Sequence, residues 1–190
     1  MTMGRSSAAA GETGLIQVNG GGGVLFNNAP TPEAIATICA AHARFGTTAL
    51  MPTLITDTPA ATAQVIAAGI AAAQAQVPGF LGLHLEGPHL DPRRKGAHDP
   101  ALIRTMTQDD LDRLAVVPDA AGSCLITVAP ESVTDEQITR LAQAGFLVSL
   151  GHTDCSHATA MAAARAGARC VTHLFNAMSA LGHREPGLVG

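Results

Sequence analysis

The sequence contains no tryptophan and no tyrosine, and five phenylalanines supply its aromatic side chains. This composition argues against an aromatic stacking platform for nucleic-acid bases and against an aromatic shelf for a sugar ring. Charged residues make up only 14% of the chain, and the formal net charge is −4. Because non-specific nucleic-acid binding depends on concentrated positive charge, we expect no DNA or RNA partner.

Disulfide, leader and membrane signals are also missing. The four cysteines are isolated and form no Cys-x-x-Cys pair, so we expect buried or reduced thiols. The opening "MTMGRSSAAAGETG" has one arginine and lacks the apolar core of a signal peptide. No window approaches the run of about 18 apolar residues that spans a membrane. We therefore expect a cytoplasmic protein without a membrane partner.

The 190 residues are 47% hydrophobic, which suits one globular domain or part of one. Short leucine-rich and β-branched runs predict six strands, at 14–20, 48–56, 80–86, 124–130, 146–152 and 170–175. A first helix is expected to begin at Thr31 and to turn Ile35, Ile38, His42 and Phe45 towards the core. Further helices are predicted at 59–77, 108–117, 134–144 and 156–166. Alternating strands and helices indicate parallel βαβ units.

The third predicted strand ends in a carboxylate. Leucines alternate with other residues through "FLGLHLE", and Gly87-Pro88 stops the strand directly after Glu86. A carboxylate at the end of a buried strand is costly, so it needs a cation, a metal ion or a raised pKa.

Two histidines occupy comparable positions, because His152 follows "FLVSLG" and His173 follows "CVT". The carboxyl ends of parallel strands lie on one side of a sheet, where these side chains and Glu86 can meet. One carboxylate and two imidazoles suit Zn²⁺ or a similar ion and leave a position open for water. The alternatives are hydrogen-bonded core histidines, and an ion pair between Glu86 and Arg93 or Arg94.

Three longer motifs resemble the N-acetylglucosamine-6-phosphate deacetylases of the amidohydrolase superfamily. They are "HLEGPHLDPRRKGAH", "GHTDCSHATAMAAARAGA" and "THLFNAMSALGHREPGLVG". The resemblance covers residues 14–190 and implies an α/β fold, a partial (β/α)₈ TIM-like barrel of the metal-dependent amidohydrolase type. It implies that the family's small β-sandwich and last barrel strands are missing from the sequence. Residues 1–13 are expected to form a tail that is disordered or lies outside the family pattern.

The resemblance also implies the site residues. Glu86, His152 and His173 correspond to the ligands of one divalent metal ion, for which we expect Zn²⁺, with Fe, Co or Mn as alternatives. "QVN" at 17–19 stands where many amidohydrolases carry His-x-His, which favours a single metal ion; loop capping is the alternative. The implied substrate-binding residues are Ala97, His98, Asn176, Ala177 and, for the 6-phosphate, Arg184. In the family this arginine serves the neighbouring subunit, so the resemblance implies a homodimer.

The implied activity is hydrolysis of N-acetylglucosamine 6-phosphate to glucosamine 6-phosphate and acetate. The family's catalytic aspartate has no counterpart in this sequence, and Asp91, Asp99 and Asp154 do not stand at a later strand end. We therefore expect the 190 residues alone to be inactive. The alternative is a non-catalytic remnant that binds a metal ion or a sugar phosphate. We also expect open sheet edges that leave Val148 and Val171 partly exposed and promote self-association.

Overall fold

The computed structural model describes residues 13–190, so the predicted tail lies outside the described residues except for Thr13. Six parallel strands form one sheet in the order β1-β4-β5-β6-β7-β8. Their bounds are β1 Thr13–Val18, β4 Thr47–Ile55, β5 Gly82–Glu86, β6 Ser123–Val128, β7 Phe146–Leu150 and β8 Cys170–Val171. A small antiparallel hairpin, β2 Gly20–Gly21 and β3 Val24–Leu25, follows the first strand.

The helices lie in the connections between strands of the large sheet. They are α1 Pro32–Ala43, α2 Pro59–Gln74, α3 Gln108–Leu114, α4 Val117–Ala121, α5 Asp135–Gln143 and α6 His157–Ala166. A threonine or serine hydroxyl accepts a backbone N–H at the start of every one of these helices except α4. These caps satisfy amides that have no partner inside the helix.

The parallel sheet curls into half of a barrel, which confirms the α/β fold class and the partial barrel. Leu83 on β5 packs so closely on α2 that a Cβ at Gly69 would lie 2.5 Å from its side chain. The next residue, His84, is fully buried on the other face of the strand. This alternation places apolar side chains against the helices and polar ones inside the half-barrel.

Two expectations about exposure were wrong. Phe45 is 88% exposed, because α1 ends at Ala43 and the chain turns through Gly46 at a φ of 92°. Val148 is fully buried, because β7 lies between β6 and β8 and its outer face belongs to the core. Val171, on the last strand of the described sheet, is 40% exposed as expected.

Several element bounds also differ from the predictions. The helix expected at 108–117 ends earlier, as α3 at Leu114, and a separate helix, α4, begins at Val117 with Pro118 in its first turn. The strand expected at 170–175 covers only Cys170–Val171, since the chain turns at His173. Among the described residues, no helix has the length and apolar character needed to cross a membrane.

Candidate functional site

Glu86, His152 and His173 meet at the carboxyl ends of three strands. Glu86 is the last residue of β5, and each histidine lies two residues beyond the end of its strand, β7 or β8. The Nε2 atoms of the histidines lie 3.2 and 3.3 Å from Glu86 Oε1 and 3.0 Å from each other. The three side chains expected to meet at the strand ends therefore do lie at one point.

The backbone at both histidines turns sharply out of the strand direction. His152 has a φ of 49° and His173 a φ of 35°, and Phe175 and Ala177 are also left-handed. Left-handed non-glycine residues are uncommon, and such strained backbone often accompanies functional sites. At His152 and His173 it accompanies side chains that turn into the half-barrel, towards Glu86.

Neighbouring carbonyl groups determine which nitrogen of each ring carries the proton. His152 Nδ1 lies 2.8 Å from the carbonyl oxygen of Arg94, and His173 Nδ1 lies 3.0 Å from that of Asn176. A carbonyl oxygen only accepts hydrogen bonds, so Nδ1 of each ring is the donor. In the neutral rings, both Nε2 atoms therefore direct lone pairs at each other and at the carboxylate.

The Glu86 carboxylate is buried, with a side chain 3% exposed. Burial raises the pKa of this carboxyl, but the rings of His152 and His173, when they carry a proton on Nε2 as well, donate hydrogen bonds that outweigh burial and hold its pKa well below the usual range. Gln17 Nε2 also donates to both carboxylate oxygens, at 3.1 and 3.0 Å. The side chain of Glu86 is therefore an ionised acceptor.

The alternative ion pair between Glu86 and a nearby arginine is not formed. Arg93 pairs with Asp91, at 2.7 Å, and Arg94 pairs with Asp154, at 2.6 Å. Both arginines lie in the loop that follows β5 and are thus engaged with carboxylates other than Glu86.

His98 has the opposite tautomer from the other two histidines. Its Nδ1 accepts the backbone N–H of Thr56 at 3.2 Å and lies 2.7 Å from the Thr56 hydroxyl. Burial lowers the pKa of His98 to about 4, so the ring is neutral near pH 7. Because Nδ1 accepts, the proton is on Nε2, and His98 has a donor to offer at the wall of the cavity.

These residues line a cavity of about 510 Å³. Of the predicted site residues, the cavity wall includes Glu86, Ala97, His98, His152, His173, Asn176 and Ala177. Arg184 is exposed and is not part of this wall. Asn27 and Asn28 also line the cavity but were not predicted from the sequence. Their place in a 3₁₀ turn after the hairpin had no pattern that would have indicated them.

No family model matches the chain. It is 48% identical over 174 residues to an N-acetylgalactosamine-6-phosphate deacetylase of Shewanella sp. (strain ANA-3). It is 36% identical over 188 residues to an N-acetylglucosamine-6-phosphate deacetylase of Mus musculus. Each alignment covers 92% of this chain and 44% of the relative, so the chain spans less than half the length of these curated relatives.

The fold gives the same result. The crystal structure of the N-acetylglucosamine-6-phosphate deacetylase from Pasteurella multocida superimposes with a TM-score of 0.90 at 31% identity. The match covers 95% of this chain and 47% of that structure. The resemblance inferred from the motifs is therefore confirmed, and over the part it spans the chain is homologous in sequence and fold to the N-acetylglucosamine-6-phosphate deacetylases.

Proposed function

We propose that Glu86, His152 and His173 hold one divalent metal ion. The observation that carries this proposal is the set of three electron-rich atoms that face one point, 3.0 to 3.3 Å apart. Two unprotonated nitrogens and a carboxylate repel one another unless a cation lies among them. Tetrahedral ligand atoms about 2.0–2.2 Å from Zn²⁺ lie about 3.3–3.6 Å apart, which is close to the observed spacing.

The ligand set supports Zn²⁺ and is also compatible with Fe, Co or Mn. Three protein ligands leave a coordination position open. A divalent ion at this position supplies Lewis-acid activation of a carbonyl group and of water. Gln17 fills the space beside Glu86 with a neutral amide donor, which favours one metal ion over two.

We infer that the cavity takes an N-acetylated amino sugar 6-phosphate. Its volume of about 510 Å³ is within the range of small-molecule sites. We assign the Nε2–H of His98 to the acetamide carbonyl oxygen, and the Ala97 backbone, Asn176 and Ala177 to the sugar. Arg184 lies outside the cavity of its own chain, which supports its assignment to the 6-phosphate in a neighbouring subunit's site. A cytoplasmic homodimer is part of this proposal.

The reaction is deacetylation of N-acetylglucosamine 6-phosphate to glucosamine 6-phosphate and acetate. A second candidate substrate is N-acetylgalactosamine 6-phosphate, because the relative with 48% identity is named for that sugar. The two sugars differ only in the configuration of C4. Calorimetric titration of the Zn²⁺-loaded chain with each sugar phosphate separates them, and tighter binding of the galactosamine form would favour the second candidate.

We propose that the 190 residues bind the metal ion but do not turn over. Of the described residues that line the cavity, Glu86 is the only one with a carboxylate, and it is a metal ligand. Asp91 and Asp154 pair with arginines, and Asp99 accepts the backbone N–H of Ala101. A general base is worth about 10²- to 10⁴-fold in rate. This observation favours the alternative of a non-catalytic remnant for the chain by itself.

The test is a metal titration joined to an activity assay. The purified chain is stripped with a chelator, titrated with Zn²⁺, and assayed for acetate release from N-acetylglucosamine 6-phosphate. One bound ion per chain without turnover is expected. Failure to bind metal would disprove the site, and rapid acetate release would show that the chain contains a base that the structural argument missed. His157→Ala is the control for histidine loss, because His157 begins α6 outside the cavity.

A further inference from the structure

A layer of buried polar side chains lies inside the half-barrel next to the ligand site. We call it the polar layer, and it consists of Thr53, His84, Thr127, Ser149 and Thr172. Each member is at most 6% exposed, and the first three are fully buried. Buried hydroxyls and imidazoles are costly unless they are hydrogen-bonded, so the layer requires an explanation.

The members of the polar layer form one continuous chain of hydrogen bonds. His84 Nδ1 lies 3.1 Å from the Thr53 hydroxyl, and His84 Nε2 lies 2.8 Å from the Thr127 hydroxyl. The Thr172 hydroxyl then lies 2.7 Å from both Thr127 and Ser149. A neutral imidazole donates with one nitrogen and accepts with the other, so His84 joins the two halves of the chain.

At one end, this chain of hydrogen bonds reaches β1, next to Gln17, the residue that donates to Glu86. The Thr53 hydroxyl accepts the backbone N–H of Val18 at 2.9 Å, at an irregularity in the β1–β4 pairing. Val18 directly follows Gln17, whose amide donates to Glu86. His84 itself precedes Glu86 by two residues, on the same face of β5.

At its other end, the hydrogen-bonded chain of side chains lies against the backbone of the residue that precedes each histidine ligand. Thr172 immediately precedes His173. Gly151 immediately precedes His152, and a Cβ there would lie 2.9 Å from Thr127 Cγ2 and 3.0 Å from Thr172 Cβ. The polar layer therefore contacts the polypeptide backbone next to each of the three candidate ligands.

We propose that the polar layer positions the three metal ligands relative to one another, with His84 as the positioning residue that joins its halves. The inference rests on the proposed metal site, which it deepens by naming what holds the ligands at their spacing. A purely apolar layer would fill the same space, but it would not fix the direction of each contact. Hydrogen bonds between specific side chains fix the lateral register of β4, β5 and β6 and the start of each turn after β7 and β8.

The test uses two substitution series in the 190-residue chain. His84→Leu removes both hydrogen bonds of the ring at similar size. Thr127→Val removes one hydroxyl isosterically, and Thr127→Ser retains it. The control is Leu83→Ala, which weakens packing on α2 without touching the polar layer. The readouts are Co²⁺ affinity from competition with a chelator, the visible spectrum of the Co²⁺-loaded chain, and urea unfolding.

His84→Leu and Thr127→Val are expected to weaken Co²⁺ binding about 10- to 100-fold and to change the visible spectrum. Thr127→Ser is expected to restore affinity and spectrum, and Leu83→Ala to lower stability while leaving both unchanged. If Thr127→Val keeps wild-type affinity and spectrum, the positioning role is wrong even if His84→Leu does not fold. If the unchanged chain binds no Co²⁺, the proposed metal site itself fails, and the positioning role fails with it.

Discussion

The two candidate histidine ligands are held by very different parts of the molecule. His152 has a side chain 6% exposed, and its ring is oriented by the carbonyl of Arg94, which is 58 residues away in sequence. Its own carbonyl accepts the N–H of Asp91 at 2.9 Å. His173 has a side chain 22% exposed and is oriented by the carbonyl of Asn176, only three residues further along.

The surroundings of the two histidines differ in the same way. The loop that holds His152 is tied down by ion pairs of Arg93 and Arg94, and by Asp91, which is buried. The segment after His173 has no regular structure, and its Phe175 is 74% exposed. We infer that the His152 side of the site is formed before a metal ion binds. We expect the more exposed His173 side to be the part that metal binding orders.

The largest expected effects come from replacing each histidine ligand by alanine, and they distinguish His152 from His173. His152→Ala and His173→Ala should each weaken Zn²⁺ binding by about 3 kcal/mol, or more than about 100-fold, since each removes one ligand. His152→Ala should also destabilise the metal-free chain by about 1–3 kcal/mol, more than His173→Ala, because it leaves the part-buried Arg94 carbonyl without its donor, whereas the Asn176 carbonyl beside His173 is exposed. Metal titration and urea unfolding measure the two quantities. Equal losses of stability would remove the distinction between the two sides.

The next substitution is expected to loosen the loop that contacts His152. Asp91 accepts the backbone N–H and the guanidinium of Arg93, within the turn that ends beside the Arg94 carbonyl. Asp91→Asn should lower the unfolding free energy by about 1–3 kcal/mol and weaken metal binding. Asp112→Asn is the control, because Asp112 is half-exposed and pairs with Arg140 at 3.1 Å. Its effect should be below about 1 kcal/mol, with unchanged metal affinity.

A fall in pH should change the contributions of the two sides of the site to the free energy of unfolding in opposite directions. Burial lowers the pKa of His89, in the loop after β5, to about 4, whereas a hydrogen bond to Glu86 raises the pKa of His173. The unfolded chain binds a proton at His89 near pH 6.5, so its contribution to stability is present above that pH and is lost as the pH falls from about 6.5 to 4. For His173 the raised pKa has the opposite sign, and its contribution is lost as the pH rises through the folded-state pKa.

Urea unfolding of the metal-free chain between pH 7.5 and 4.5 tests this difference. The His89 contribution to the slope should approach about 1.4 kcal/mol per pH unit within its window. His89→Gln, which keeps a polar side chain beside the Arg104 carbonyl, should flatten the dependence. An unchanged slope in this variant would show that the ring of His89 is not the group that resists protonation.

The smallest effect on stability is expected at the outer edge of β8. Val171 is 40% exposed on the last strand of the described sheet, so Val171→Lys should change the unfolding free energy by less than about 0.5 kcal/mol. It should nevertheless reduce self-association, because charge at an edge strand opposes edge-to-edge pairing. Phe45→Lys, at an exposed turn away from any sheet edge, should not. Sedimentation velocity compares the variants.

The sequence indicated the strands, their parallel arrangement and the grouping of three candidate ligands for a physical reason. Strand period and strand-ending residues are local signals, and parallel topology brings strand ends together without further information. Glu86, His152 and His173 could therefore be brought together before the structure was known. The error at Phe45 came from extending a helical period beyond the turn at Gly46, where a local backbone conformation overrides the pattern.

The sequence did not indicate how the imidazole rings are oriented, because the backbone groups that orient His152 and His98 are distant in sequence. The Arg94 carbonyl that orients His152 and the Thr56 amide that orients His98 leave no mark on composition or spacing. The link from His84 to Thr127 was also hidden, although alternation predicted that His84 and Glu86 share a face. Side-chain identity suggested the metal site, but the position of the proton on His152 and His98 came from contacts across 40 or more positions, and on His173 from a carbonyl three residues away.

The left-handed turns at His152 and His173 have a consequence for transplanting this site into another protein. A recipient scaffold that carried the same three side chains at ordinary strand ends would not aim both imidazoles at the carboxylate, since φ there would be negative and the side chains would stand roughly perpendicular to the sheet. The scaffold would have to supply φ values of 49° and 35° directly after parallel strands, together with a glycine where Gly151 approaches Thr127. The unit that can be transferred is therefore a pair of strand-and-turn segments with their backbone, and a list of three residues would not reproduce it.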